Sequence, residues 1–245
     1  MKAMIMAAGL GTRLKPWTSE HPKALVPVEG VPVLYRLIVK LRDAGFDHIT
    51  VNVHHFSDQV KDFLETHDFR VRINVSDETE KLLDTGGALM KAAPLLTRDD
   101  EPVLVHNVDI LSNEDLGGLV RRHNESGADI TLLTSHRDSS RRLVFNPDGM
   151  LAGWHNVRTG QYRPEGFRPQ PGMIQEAFSG IYVIGAKALA DIVEYGRRSG
   201  EERFPIMDYL LSGPEEIRIL RHCEPGLRML DIGKPDALAH AKDYL

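Results

Sequence analysis

The chain has 245 residues, 42% hydrophobic and 27% charged, the proportions of a water-soluble globular protein with enough apolar material for a sizeable core. A net charge of −5 argues against nucleic acid or a membrane as partner, so an anionic ligand has to be drawn by a local patch. The one cysteine, Cys223, excludes a disulfide framework or a cysteine zinc cluster within the chain and reads as an inert core thiol.

In chain order, Ala3 to Ala8 is a continuous apolar run, as expected of a strand buried on both faces. The opening M-K-A-M-I-M-A-A-G is too short for a signal peptide, and no apolar run reaches the roughly 18 residues of a membrane span; a cytoplasmic protein is expected. Val33 to Ala44 has helical spacing, with Leu34, Leu37, Ile38 and Leu41 on one face and Gly45 as a stop. Ile49 to Val53 reads as a strand, Phe56 to Thr66 as a helix, Val71 to Val75 as a strand and Gly87 to Leu96 as a short helix. Val103 to Val105 is the next strand. Asn113 to Ser126 reads as a helix with Glu114 and Asp115 in its first turn, and Ile130 to Thr134 as a strand. This alternation predicts a mainly parallel sheet with helices on both faces.

After Ser135 strands follow one another without helices. L-V-F-N-P-D-G-M-L-A-G-W reads as a hairpin turning at Asn-Pro-Asp-Gly. Residues 161–172, rich in Pro, Gly and Arg, read as a loop or lid. Ala177 to Ile184 is a strand, Ala186 to Tyr195 and Ile206 to Leu211 are helical, Arg218 to Leu220 and Arg228 to Leu230 are short strands, and Pro235 to Tyr244 is a closing helix. A single domain over 1–245 is expected, with a nucleotide-binding half (1–135) and a mixed half (136–245).

The loop after the first strand is long and basic. In an open parallel sheet it lies at the edge where ligands bind. Gly9 and Gly11 remove side chains where a phosphate could approach the backbone, and their N–H groups can form an anion nest. Thr12 adds a hydroxyl, and Arg13, Lys15 and Lys23 supply charge. A Walker A loop is absent. The dinucleotide fingerprint fails at Leu14, and the second strand, I-T-V-N-V-H-H, ends without an acidic residue, which disfavours an oxidoreductase.

The run A-A-G-L-G-T-R-L-K-P-W-T…H-P-K-A-L-V-P-V-E-G-V-P-V-L resembles the signature of the sugar-1-phosphate nucleotidyltransferases, with Trp17 and Ala24 as mild departures. The likeness extends to T-G-G-A-L, Asp109, F-S-G-I-Y-V-I and D-I-G-K-P, and so covers nearly the whole chain. It implies a Rossmann-like mixed α/β fold and an enzyme that joins a sugar 1-phosphate to an NTP and releases pyrophosphate. In that comparison Ala8, Gly9, Gly11 and Thr12 cradle the nucleotide, Arg13 holds the leaving pyrophosphate and Lys23 neutralises the reacting phosphates. Asp109 and Asp231, at strand ends, would hold Mg²⁺, capping being the alternative for each. Thr85, Gly86 and Asn107 are expected on the nucleotide side, with Glu78 or Glu80 reading the base. Glu176, Ser179 and Gly180 are expected on the sugar side, with Trp154 and the 161–172 loop closing over the sugar. His106 is expected to pack or hydrogen-bond at its strand end.

Compact enzymes acting on N-acetylmuramate 1-phosphate with UTP look most similar. Mannose-1-phosphate guanylyltransferases, choline-phosphate cytidylyltransferases and a non-catalytic nucleotide-sugar-binding regulatory subunit are the alternatives. The partners implied are the NTP and the sugar 1-phosphate, with a homo-oligomer left open.

Overall fold

The structure is a computed structural model describing residues 1–97, 100–214, 216–233 and 235–244; Lys234 of the D-I-G-K-P run lies outside them. The apolar opening run forms β1 (Lys2–Met6), buried at every position. A loop of three 3₁₀ turns and a small hairpin, β2 (Pro27–Val28) with β3 (Val31–Pro32), bring the chain to α1 (Val33–Asp43). There follow β4 (His48–Val53), α2 (Ser57–Thr66), β5 (Arg72–Asp77), α3 (Asp84–Leu96), β6 (Val103–Asn107), β7 (Ile110–Ser112), α4 (Leu116–Ser126) and β8 (Ile130–Ser135). The second half contains β9 (Arg141–Phe145), β10 (Leu151–Asn156), β11 (Gln161–Arg163), β12 (Ile174–Ile184), α5 (Ala186–Ser199), α6 (Ile206–Leu211), β13 (Ile219–Cys223), β14 (Met229–Asp231) and α7 (Pro235–Leu238).

The main sheet runs β5, β4, β1, β6, β12, β8, β13. Neighbours are parallel except at β12, which is antiparallel to both β6 and β8. The first part of the long strand β12 leaves this sheet and pairs with β9, which continues into β10 and β11. The strand thus belongs to both halves of the chain. Parallel strands need crossovers, and these carry helices onto both faces. One core cluster joins α1, α2 and α4 to the sheet, and a second joins α3, α5 and α6 to the opposite face. α1 buries Val33, Leu34, Leu37, Ile38 and Leu41, the stripe visible in its sequence; removing those side chains from water contributes on the order of 10 kcal/mol.

Several boundaries differ from the sequence reading, each for a local reason. α4 starts at Leu116 because Asp115 caps it, its carboxylate accepting from Gly118 N at 2.9 Å. Glu114 therefore precedes the helix and pairs with Arg122. β7 and the hairpin β2–β3 are too short to carry a periodic signal. Residues 161–163 of the expected loop are strand β11, pairing with β10. The closing segment is α7 followed by a 3₁₀ turn, Ala241–Tyr244, rather than one helix. Among the described residues no helix is long and apolar enough to cross a membrane.

Candidate active site

The carboxyl ends of β1, β4, β5 and β6 converge on one edge of the sheet, and the 7–26 loop folds over it. Asn52, next to last in β4, fixes that loop. Its Oδ1 accepts from Ala7 N (2.6 Å) and Ala8 N (3.3 Å), and its Nδ2 donates to Glu78 Oε1 at 2.8 Å. The other Glu78 oxygen accepts from Leu83 N at 3.1 Å. Glu78 is fully buried, and burial pushes its carboxyl above the usual range while the Asn52 bond acts the other way. The carboxylate is thus committed to bracing the edge of the sheet. Glu80 is exposed and lines a different groove, between α3 and α5.

Further along the loop, Gly11 has φ +62°, and a Cβ there would lie 2.9 Å from both Lys23 Cβ and Thr18 Cγ2. Only glycine meets both demands at low cost. Thr18, buried and not singled out in the sequence, donates to Gly11 O at 2.8 Å and closes the turn. Gly9 has no atom within 4 Å of where its Cβ would be and lines the cleft with Ala8, Lys23, Asn107 and Asp109, an opening of 280 Å³. Thr12 and Arg13 stand exposed on the 3₁₀ turn Thr12–Leu14.

Four charged side chains from distant parts of the chain meet here. Lys23 Nζ is paired with Asp109 Oδ2, both side chains largely buried. Arg13 Nη2 lies 3.9 Å from Asp231 Oδ2. β14 pairs antiparallel with β7, setting Asp231 opposite Ile110, the residue after Asp109. Ile232 N also donates to Asp109 O at 3.0 Å. Burial raises the Asp109 carboxyl above its usual range; Lys23 opposes this, and Asp231 adds to it. One ammonium does not offset burial and carboxylate repulsion together, so the pair has room for further positive charge.

Gly233 keeps this space clear. A Cβ there would lie 2.8 Å from Asp231 Oδ1 and 2.9 Å from both Arg13 Nη2 and Lys23 Nζ. Two adjacent carboxylates around a side-chain-free cradle fit a hard, oxygen-seeking divalent cation. The Arg13–Asp231 pair is long and half exposed, which makes it weak and easily redirected to an anionic ligand.

Other expected site residues have structural partners. Thr85 touches the cleft, but its hydroxyl accepts from Ile206 N at 2.8 Å. Gly86 faces away from the cleft: its N–H is bonded to Phe204 O, and a Cβ would lie 2.3 Å from the Phe204 ring. This glycine serves close packing of α3, and its N–H is not free for a nucleotide. Glu176 is buried, paired with Arg221 and accepting from Thr134 Oγ1, and does not present its carboxylate to open space. Ser179 is buried and donates to Leu133 O at 2.8 Å. Gly180 does reach the site: φ is +77°, and a Cβ would lie 2.6 Å from Asn107 Nδ2. Trp154 packs against the second core cluster.

His106 is buried; Nδ1 donates to Asn107 O at 2.8 Å, and burial pushes the imidazole down to about 4. His136, Glu176 and Cys223 bring ligand-type atoms within 4.8 Å of one another. Glu176 is already held by Arg221, and burial together with the Glu176 carboxylate pushes the Cys223 thiol up to about 11. That cluster is a protonated thiol beside a closed ion pair rather than a thiolate ligand set.

Residues 2–245 match the family model described as nucleotidyl transferase. Mannose-1-phosphate guanyltransferase beta-B of Xenopus laevis is 30% identical over 209 residues, 84% of this chain and 56% of that one. N-acetylmuramate alpha-1-phosphate uridylyltransferase of Caulobacter vibrioides is 40% identical over 121 residues, 48% of this chain and 49% of that one. These alignments span about half the length of each relative. The crystal structure of HddC from Yersinia pseudotuberculosis superposes with a TM-score of 0.76 at 22% identity, covering 99% of this chain and 98% of that one, a likeness of fold.

Proposed function

Because the chain belongs to the nucleotidyl transferase family, we propose that it joins a sugar 1-phosphate to an NTP, giving a nucleotide sugar and pyrophosphate. The observation that carries this reading is the convergence of Arg13, Lys23, Asp109 and Asp231 around Gly233 at the open sheet edge. An oxygen of the sugar phosphate attacks the α-phosphorus of the NTP, and the bond from that phosphorus to the bridging oxygen of pyrophosphate breaks. No protein nucleophile is needed; positioning and charge neutralisation supply the catalysis. In this reading Lys23, largely buried beside Asp109, neutralises the reacting phosphates, and solvent-reaching Arg13 holds the departing pyrophosphate; their ion pairs at the cleft support these roles. Asp109 and Asp231 would hold Mg²⁺, which when bound supplies positive charge to the phosphates. The loop braced by Asn52 keeps Ala8 and Gly9 at the nucleotide's approach.

For the finer assignment we propose UTP with N-acetylmuramate 1-phosphate, supported by the 40% identical stretch shared with the Caulobacter protein. A second reading, GTP with mannose 1-phosphate, is favoured by the longer alignment with the Xenopus protein. Pyrophosphate release, measured with Mg²⁺ over a grid of four NTPs and several sugar 1-phosphates plus phosphocholine, tests both. A signal confined to UTP and N-acetylmuramate 1-phosphate is expected. Signal only with GTP and mannose 1-phosphate selects the second reading, and silence from folded protein sinks the activity.

A further inference from the structure

We propose that Asn113 is a positioning residue for the site: its side chain locks the register of β14 on β7 and so decides which face of that ribbon carries Asp231 toward Asp109. The proposal rests on the reading of Asp109 and Asp231 as a joint cation site. β7 and β14 form a two-stranded ribbon outside the main sheet, with Met229, Leu230 and Asp231 opposite Ser112, Leu111 and Ile110. Three rungs are few for a ribbon of two strands. Side chains alternate along a strand, so a slip of one residue would turn Asp231 to the other face.

The apolar pattern does not forbid that slip. Met229 and Leu230 are adjacent, both half-buried and both packed against the first core cluster, and buried Ile232 follows the aspartate. Apolar contact holds such a run on the core without choosing between neighbouring registers. Directional bonds make the choice. At one end of the ribbon Ile232 N donates to Asp109 O at 3.0 Å. At the other end Asn113 makes three bonds to the arriving chain. Its N–H donates to Arg228 O at 3.1 Å, its Oδ1 accepts from Arg228 N at 2.8 Å, and its Nδ2 donates to Gly226 O at 3.1 Å.

The side chain thus carries the ladder one step past the end of β7. Asparagine suits the task because one short side chain both accepts and donates; an ionised aspartate only accepts, and alanine does neither. The pieces it joins are fixed in their turn. Lys40, on α1, donates from Nζ to Ser112 O at the end of β7. Ahead of Arg228 the chain is folded by Glu224, whose O accepts from Leu227 N at 3.1 Å and whose Oε1 accepts from Gly226 N at 3.2 Å. Asn113 therefore clamps a preformed turn onto an anchored strand, and Asp231 follows three residues beyond the clamp.

The test follows amide hydrogen exchange and the binding of Mn²⁺ alone in the full chain, in Asn113→Ala and in Asn113→Asp. Asn113→Ala is expected to speed exchange over residues 226–232 about tenfold, the scale of the bonds removed, and to leave β1 and β4 unchanged. It should also weaken Mn²⁺ binding about tenfold, as loss of a group that orients a metal ligand does. Asn113→Asp keeps the bond to Arg228 N and should fall between the other two in exchange. Unchanged exchange over residues 226–232, or exchange faster by one factor throughout the chain, overturns the clamp. Faster local exchange with Mn²⁺ affinity intact overturns its role in placing Asp231. If the unmodified chain binds no Mn²⁺, the cation reading of the aspartate pair fails, and the exchange pattern alone decides the clamp.

Discussion

At the scale of single residues, the site is a set of opposite charges brought together at the open sheet edge. Lys23 is the clearest case: a largely buried ammonium paired with one of two adjacent carboxylates. Lys23→Ala or Asp109→Ala should cut turnover about a hundredfold or more, the effect of one lost electrostatic contact at a reacting centre. Near-normal pyrophosphate release from either purified variant would remove that residue from the assigned role. Asn52 acts through the loop. Asn52→Ala leaves Ala7 N–H, Ala8 N–H and one Glu78 oxygen without a partner in a buried place. It should cost about 1–3 kcal/mol in denaturant unfolding and raise KM for NTP while leaving KM for the acceptor unchanged. A change confined to the acceptor would show that the loop is braced by something else. Arg13, Lys23, Asp109 and Asp231 were named from the sequence through the resemblance, with capping as the alternative for each aspartate, and the structure brings their side chains together. Asn52 and Thr18 were not named, although the signal existed: a polar residue inside I-T-V-N-V has to be satisfied by something. Gly86 and Glu176 show the opposite failure, since a motif position says nothing about which side of the backbone its neighbours occupy.

At the scale of elements, β12 links the cleft to the rest of the sheet. It pairs with β6, β8 and β9, and its register against β8 shifts between Phe178 and Tyr182. Ser179 makes that irregularity stable by donating to Leu133 O and accepting from Ile181 N at 3.2 Å. Gly180, at φ +77°, then passes against the Asn107 side chain. Gly180→Ala combines an unfavourable backbone region with a methyl driven toward Asn107. A loss of about 1–3 kcal/mol is expected, together with a lower kcat as Asn107 is displaced; Ser179→Ala should lower stability by about 1 kcal/mol with a smaller effect on kcat. Equal kcat in the two variants would mean that the bulge does not position Asn107. The parallel sheet and its helices were readable because apolar periodicity survives over five or more residues. The pairing of β14 with β7 was not, because three-residue strands carry no period. That pairing is nevertheless what sets Asp231 beside Asp109, and it depends on contacts between positions more than a hundred residues apart.

For the whole molecule, acidity and burial combine in a pH dependence that the histidines set. His106, His123 and His222 are all pushed below the usual histidine range, in each case first by burial. His106 is the extreme, moved to about 4, with Nε2 lacking a partner among the described residues. In the unfolded chain the imidazole takes up a proton near pH 6.5. Between pH 4 and 6.5 the unfolded state therefore binds more protons than the folded one, and stability rises with pH across that window. The contribution is complete above about pH 6.5 and is lost toward pH 4, with a slope approaching 1.4 kcal/mol per pH unit, roughly, for one fully displaced group. His106→Phe keeps the volume in β6 and removes the proton site. Denaturant unfolding from pH 4 to pH 7.5 should show the two proteins similar at neutral pH and the variant falling away less steeply below pH 6.5. The residual slope of the variant belongs to His123, His222 and the carboxylates, so the difference between the curves isolates His106. Parallel curves would mean that His106 is protonated in the folded chain, and the strand end beside Asn107 would then carry a buried positive charge next to the cleft.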